Sequence, residues 1–168
     1  MADDIKVLAV DDSSVVRAMM GVIFTAAGCR IETASGVRDG LRTLRRFEPH
    51  VILTDYNMPG LDGHAFVRLV RRNERLQHIP ILVISSEDDP AKHAAMARAG
   101  VDAWFPKPID AARILTAVQA LTMPSALVLP FPKLAPPSAE TLRPDQMFDR
   151  YIKVLKSAIG GRGYSALD

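Results

Sequence analysis

Four groups that could do chemistry punctuate the first two thirds of this chain, each at the end of a short apolar run. The acidic pair Asp11-Asp12 follows residues 5–10, Asp55 follows 51–54, Ser85 and Ser86 follow 81–84, and Lys107 follows 101–105. Three carboxylates, a hydroxyl and an ammonium gathered at one edge would make a site for a divalent cation and a phosphoryl group. Carboxylates packed so closely repel, and all of them ionise only beside a cation; otherwise one takes up a proton. Mg2+ suits the set, because it takes octahedral oxygen ligation with few protein carboxylates and several waters.

What would bring these groups together is the alternation of short apolar runs with longer segments of helical period. The pattern predicts strands near 5–10, 30–34, 51–54, 80–84 and 101–105, and helices near 14–27, 36–47, 62–73, 90–99 and 110–121. Nearly continuous apolar strands are those of a parallel sheet covered on both faces. Ser13 is placed to cap the first helix and Gly28 to follow it, while Pro90 and Gly100 bracket the fourth. Five strand–helix pairs make an open, doubly wound α/β domain, since each parallel crossover must be right-handed and must cover the sheet. Ligands of such sheets bind beyond the carboxyl ends of the strands, where strand order reverses. The chemically capable residues all fall at those ends.

The order Asp11-Asp12, then Asp55 with Met58-Pro59 and Asp62-Gly63, then Ser85, then Lys107-Pro108 resembles the receiver domain of bacterial response regulators in two-component signalling. The resemblance covers residues 5–122 and is strongest to single-domain, chemotaxis-type regulators. It implies a flavodoxin-like five-stranded sheet of order 2-1-3-4-5, with Asp55 as the phosphoacceptor. Mg2+ would be held by Asp12 and Asp55 directly, by Asp11 through water and by the Asn57 backbone carbonyl. Lys107 and Ser85, the latter in place of the family's common threonine, would meet the phosphoryl group, and the Lys107-Pro108 bond would be cis. Asn57 and Glu87 occupy positions that govern how water reaches the aspartyl phosphate, for an expected lifetime of seconds to minutes. Trp104 stands where the family has a switching aromatic. The implied donor is a histidine kinase or histidine phosphotransfer protein, and the implied output is a downstream protein or a self-dimer, through the 90–121 face and the tail. The receiver would promote its own phosphorylation and dephosphorylation, with no separate catalytic domain.

Bulk properties limit the alternatives. The 168 residues are 48% hydrophobic with a net charge of +2, which suits a packed core and does not call for nucleic acid or an acidic membrane surface. Residues 1–122 carry 15 basic and 15 acidic side chains, so the excess lies in the tail. Arginines 38, 42, 45 and 46, with 68, 71, 72 and 75, read as solvated helix faces, since no aromatic residues interleave for base stacking. Cys29 is the only cysteine, which excludes an intrachain disulfide and fits a cytoplasmic protein. The four histidines show no ligand spacing. Neither a secretory leader nor a membrane-spanning run is apparent.

Beyond the receiver region 1–122 the texture changes. Half of the twelve prolines fall within 124–144, so 123–144 reads as a stiff linker. In 145–160, Met147, Phe148, Tyr151, Ile152, Leu155 and Ile159 form one apolar helical face, and 161–168 is a flexible tail. One such helix is too little for a DNA-binding module, which needs a supported recognition helix. The alternative reading is a receiver fragment of a larger regulator that controls transcription or an output enzyme.

Overall fold

The computed structural model describes residues 5–122. The expected linker, amphipathic helix and tail lie outside the described residues. Ten elements alternate along the chain: β1 Lys6–Val10, α1 Ser14–Ala26, β2 Arg30–Ala34, α2 Val37–Thr43, β3 Val51–Thr54, α3 Gly63–Arg72, β4 Ile81–Ser85, α4 Pro90–Ala99, β5 Ala103–Pro106 and α5 Ala111–Thr122. All strand pairs are parallel, in the order β2-β1-β3-β4-β5. This is the expected doubly wound, flavodoxin-like sheet.

Side chains alternate across a strand, and here both sets are buried. Leu8, Val10, Ile52, Ile81 and Val83 pack with Phe66, Val67, Val70 and Met96 of α3 and α4 on one face. Val7, Ala9, Leu53, Leu82 and Ile84 are equally inaccessible, and α1 and α5 supply Met20, Ile23, Phe24, Ile114 and Val118 as further buried apolar groups. The continuous apolar runs are therefore a consequence of two-sided cover.

Two boundaries depart from the pattern. The helix expected over 36–47 is regular only over Val37–Thr43. Beyond it the Arg45 and Arg46 amides donate three residues back, to Arg42 and Thr43. Pro49 restricts its predecessor to extended backbone and so favours an early end, yet Leu44 and Phe47 stay buried. The last strand, expected over 101–105, runs from Ala103 to Pro106, with Pro106 paired in register with Ser85. Pro106 costs the sheet no hydrogen bond, because the inward donor is the Lys107 amide, bonded to Ser85 O at 3.0 Å, and alternate amides point opposite ways. A proline is tolerated on the outward side of a terminal strand.

Candidate functional site

The site is built where strand order reverses, between β1 and β3. Asp11 and Asp55 are each the first residue past their strand, and each is fixed by its backbone to the neighbouring strand. The Asp11 amide donates to Ala34 O at 3.1 Å, and the Asp55 amide to Val10 O at 2.9 Å. Both side chains are buried, Asp11 at 0% and Asp55 at 5% exposure, whereas Asp12 is exposed. Lys107, the first residue past β5, reaches across the sheet edge and donates from Nζ to Asp11 Oδ2 and Asp55 Oδ2, both at 2.9 Å. The Lys107-Pro108 bond is cis.

Electrostatics follow from this geometry. Burial is the largest influence on Asp11 and raises its pKa, against the hydrogen bond from Lys107 and that from the Ser13 amide at 2.8 Å. Burial acts to lower the Lys107 pKa, but the hydrogen bonds to Asp55 and Asp11 outweigh it and the net shift is upward, so the side chain stays an ammonium. One oxygen from each of Asp11, Asp12 and Asp55 lies within 4.8 Å of the others. An oxygen-only donor set of this size, with three carboxylates against one ammonium that contacts two of them, fits a hard divalent cation such as Mg2+.

The loops that hold these groups have their own supports. Arg17 on α1 donates from Nη1 to the carbonyls of Asp11 at 2.7 Å and Asp12 at 2.9 Å, which fixes the β1–α1 turn. A cation in the first turn of a helix works against the helix dipole. That misplacement was the one sequence signal that Arg17 has another partner. On the other side, Asp62 caps α3 through the Ala65 amide at 2.8 Å, and the Gly63 amide donates to Tyr56 O at 2.8 Å. A Cβ on Gly63 would sit 2.2 Å from Asp55 O, so only glycine lets α3 start this close to the acceptor.

Ser85 ends β4 almost wholly buried, and its Oγ accepts from the Glu87 amide at 3.2 Å, which leaves the hydroxyl proton to donate elsewhere. The Asn57 amide donates to Asp55 Oδ1 at 3.3 Å while its side chain is exposed. Glu87 is not free: its carboxylate accepts from Lys92 Nζ and from the Asp89 amide at 3.2 Å. The Lys92 bond, first, holds Glu87 below the usual carboxylate range. Trp104 is half-buried, stacked on His93 with centroids 3.8 Å apart and tilted against Tyr56 at 5.8 Å. Pro108 is exposed. The structure thus gathers Asp11, Asp12, Asp55 and Lys107 at one point with Ser85 and Asn57 beside them, and sets Glu87 and Trp104 in a flanking cluster with Tyr56, Lys92 and His93. Tyr56 carries no sequence signal, since its contact with Trp104 spans 48 residues, whereas Lys92, a cation in the first turn of α4, carries the same one as Arg17.

Residues 7–119 match the response regulator receiver domain, and the chain belongs to that family. Among its relatives, the chain is 29% identical over 119 residues to protein PilG of Pseudomonas aeruginosa, covering 71% of this chain and 88% of that one. It is 31% identical over 114 residues to chemotaxis protein CheY-3 of Vibrio cholerae, covering 66% and 86%. Its fold is similar to the chemotaxis response regulator CheY4 of Vibrio cholerae, with a TM-score of 0.66 and 34% identity over 71% of this chain and 99% of that one. At 22% identity and a TM-score of 0.66, it shares its fold with the receiver domain of sensor histidine kinase PA1611 from Pseudomonas aeruginosa PAO1. The match covers 71% of this chain and 98% of that one, whose structure has a magnesium ion coordinated in the active-site cleft.

Proposed function

We propose that this receiver takes a phosphoryl group onto Asp55 from the phosphohistidine of a histidine kinase or histidine phosphotransfer protein, and signals by protein–protein contact in the cytoplasm. The observation that carries the reading is the Asp55 carboxylate itself. It ends a buried strand, touches Lys107 at 2.9 Å and shares its surroundings with two further carboxylates. An Asp55 carboxylate oxygen attacks phosphorus, the donor P–N bond breaks, and its electron pair leaves with the imidazole. Phosphoryl transfer has little covalent work for other groups, so they position and neutralise. Lys107 meets a phosphoryl oxygen, and Ser85 donates its hydroxyl proton to another. Asp12 and Asp55, the Asn57 carbonyl and, through water, Asp11 would hold Mg2+. When bound, the ion offsets charge on the phosphoryl oxygens. The domain also promotes loss of the phosphoryl group, with Asn57 and Glu87 controlling the approach of water.

Signalling is a population shift: the phosphoryl group favours an active arrangement only by as much as it interacts better with that state. A swing from 1:99 to 99:1 needs about 5.5 kcal/mol of such difference. Ser85 drawn toward the phosphate and Trp104 turned behind it would pass the change to α4, β5 and α5, the face for a partner or a second copy. The decisive experiment treats the protein with acetyl phosphate and Mg2+ and scores a hydroxylamine-labile phosphoryl label. Asp55→Asn should abolish it, and a label retained at the unsubstituted level sinks the reading. A phosphorylated half-life of many hours would refute the expected lifetime of seconds to minutes.

A further inference from the structure

Beside the acceptor lies a cleft of about 490 Å3 lined by Asp12, Tyr56, Asn57, Asp62 and Lys92, with Met58 and Pro59 completing it. Two acids line it and Lys92 is its cation. Lys92 is the third residue of α4, a helix fixed at its start by the Asp89 cap on the Ala91 amide at 2.8 Å. Its ammonium is held by the Glu87 carboxylate and lies 5.4 Å from the Tyr56 ring centroid, within cation–π range. His93 Nε2 lies 3.0 Å from Glu87 O, so α4 holds both ends of this rim. Without Lys92, the Glu87 carboxylate, which already acts with Asp62 on the cleft-lining Tyr56, would be an uncompensated negative charge at the margin of the cleft.

Phosphodonors differ in the charge that develops on the leaving group. When acetyl phosphate reacts, the Asp55 O–P bond forms, the P–O bond to the acetyl group breaks, and the electron pair departs with acetate. When phosphoramidate reacts, the P–N bond breaks and the pair departs with ammonia, whose protons are already on nitrogen. An acidic rim repels the first leaving group and favours the second. We infer that Lys92 is a specificity-determining residue: by covering Glu87 and lining the cleft, it admits phosphodonors with anionic leaving groups, the acyl phosphates. This rests on Asp55 being the phosphoacceptor.

The test measures second-order phosphorylation rates of the full chain with acetyl phosphate and with phosphoramidate, Mg2+ present throughout. Lys92 is 40% exposed and Glu87 16%, so solvent screens the effect. Lys92→Gln should cut the acetyl phosphate rate by about three- to ten-fold while phosphoramidate holds or gains. Lys92→Glu should widen the change in ratio, added salt should shrink it, and Lys92→Gln with Glu87→Gln should restore the ratio. Beryllofluoride has no leaving group, so its affinity for Lys92→Gln, read by calorimetry, should stay within about two-fold of the unsubstituted value. A donor ratio unmoved by Lys92→Gln and Lys92→Glu overturns the inference. So does an equal fall for both donors and beryllofluoride, which would make Lys92 a general support of the site. If the unsubstituted protein takes phosphoryl from neither donor, the phosphoacceptor reading fails and this one with it.

Discussion

The two ends of the sheet treat charge in opposite ways. At the amino ends of β4 and β5, Arg71 on α3 donates to Gly100 O at 2.7 and 3.0 Å, to Ile79 O at 2.7 Å, to Gln77 O at 3.1 Å and to Asp102 Oδ2 at 3.2 Å. Asp102 Oδ2 also accepts from the Ile81 amide at 2.8 Å. One cation meets one carboxylate, and the remaining donors go to carbonyls. At the carboxyl ends, three carboxylates share one ammonium in contact with two of them. Satisfied polar groups join elements together, whereas a cluster short of positive charge is poised to bind it. An arginine with every donor used is a clamp; a lysine outnumbered by acids is part of a site.

Removing a charged group should therefore change stability in opposite directions at the two ends, whereas a steric change at the site end is destabilising. The largest loss is expected from Gly63→Ala, whose methyl would collide with the Asp55 carbonyl and force α3 away; we expect about 2–4 kcal/mol by denaturant unfolding, with a matching drop in phosphorylation rate. Arg71→Leu should cost about 2–3 kcal/mol by orphaning several part-buried carbonyls, while leaving the phosphorylation rate nearly unchanged. Asp11→Asn, assayed without Mg2+, should instead raise stability, by about 1 kcal/mol at neutral pH, because burial penalises the charged form. A loss comparable to that of Arg71→Leu would break the comparison. The sign follows from the raised pKa of Asp11: its cost is present above the folded value and vanishes as pH falls below the unfolded one.

The smallest effect belongs to Glu87, whose pKa Lys92 depresses. Its contribution is present above the ordinary glutamate range and disappears as pH falls through the lower folded value. Melting curves of the unsubstituted protein and Glu87→Gln should differ slightly at neutral pH and converge in acid. A gap that widened in acid would contradict the ion pair.

The sheet and the acid cluster were legible in the sequence because each strand is a short apolar run ending in a chemically capable residue. Asp11, Asp55 and Lys107 could be placed without knowing any side-chain conformation, since the strand ends alone bring them to one edge. The end of α2 was less visible, because Leu44 and Phe47 keep the helical period in a turn that is no longer a helix. By its position in the sequence Arg71 resembles the solvated arginines around it, yet its partners include Gly100, 29 residues away, and are largely carbonyls that any sequence possesses. The Lys92–Glu87 pair was hidden for a related reason. Five residues apart, it straddles the start of α4, where helical spacing does not apply.

Pro106 has a further consequence. Its outward position in β5 carries no N–H, so a foreign extended chain laid along that rim would meet a gap in the row of donors it needs. At the opposite rim, β2 presents an exposed Arg30 and a half-buried Glu32 that is ion-paired to Arg46 at 3.1 Å. Charge on one margin and a missing donor on the other work against templated growth of the sheet into fibrils, so the domain should withstand crowding without polymerising edge to edge.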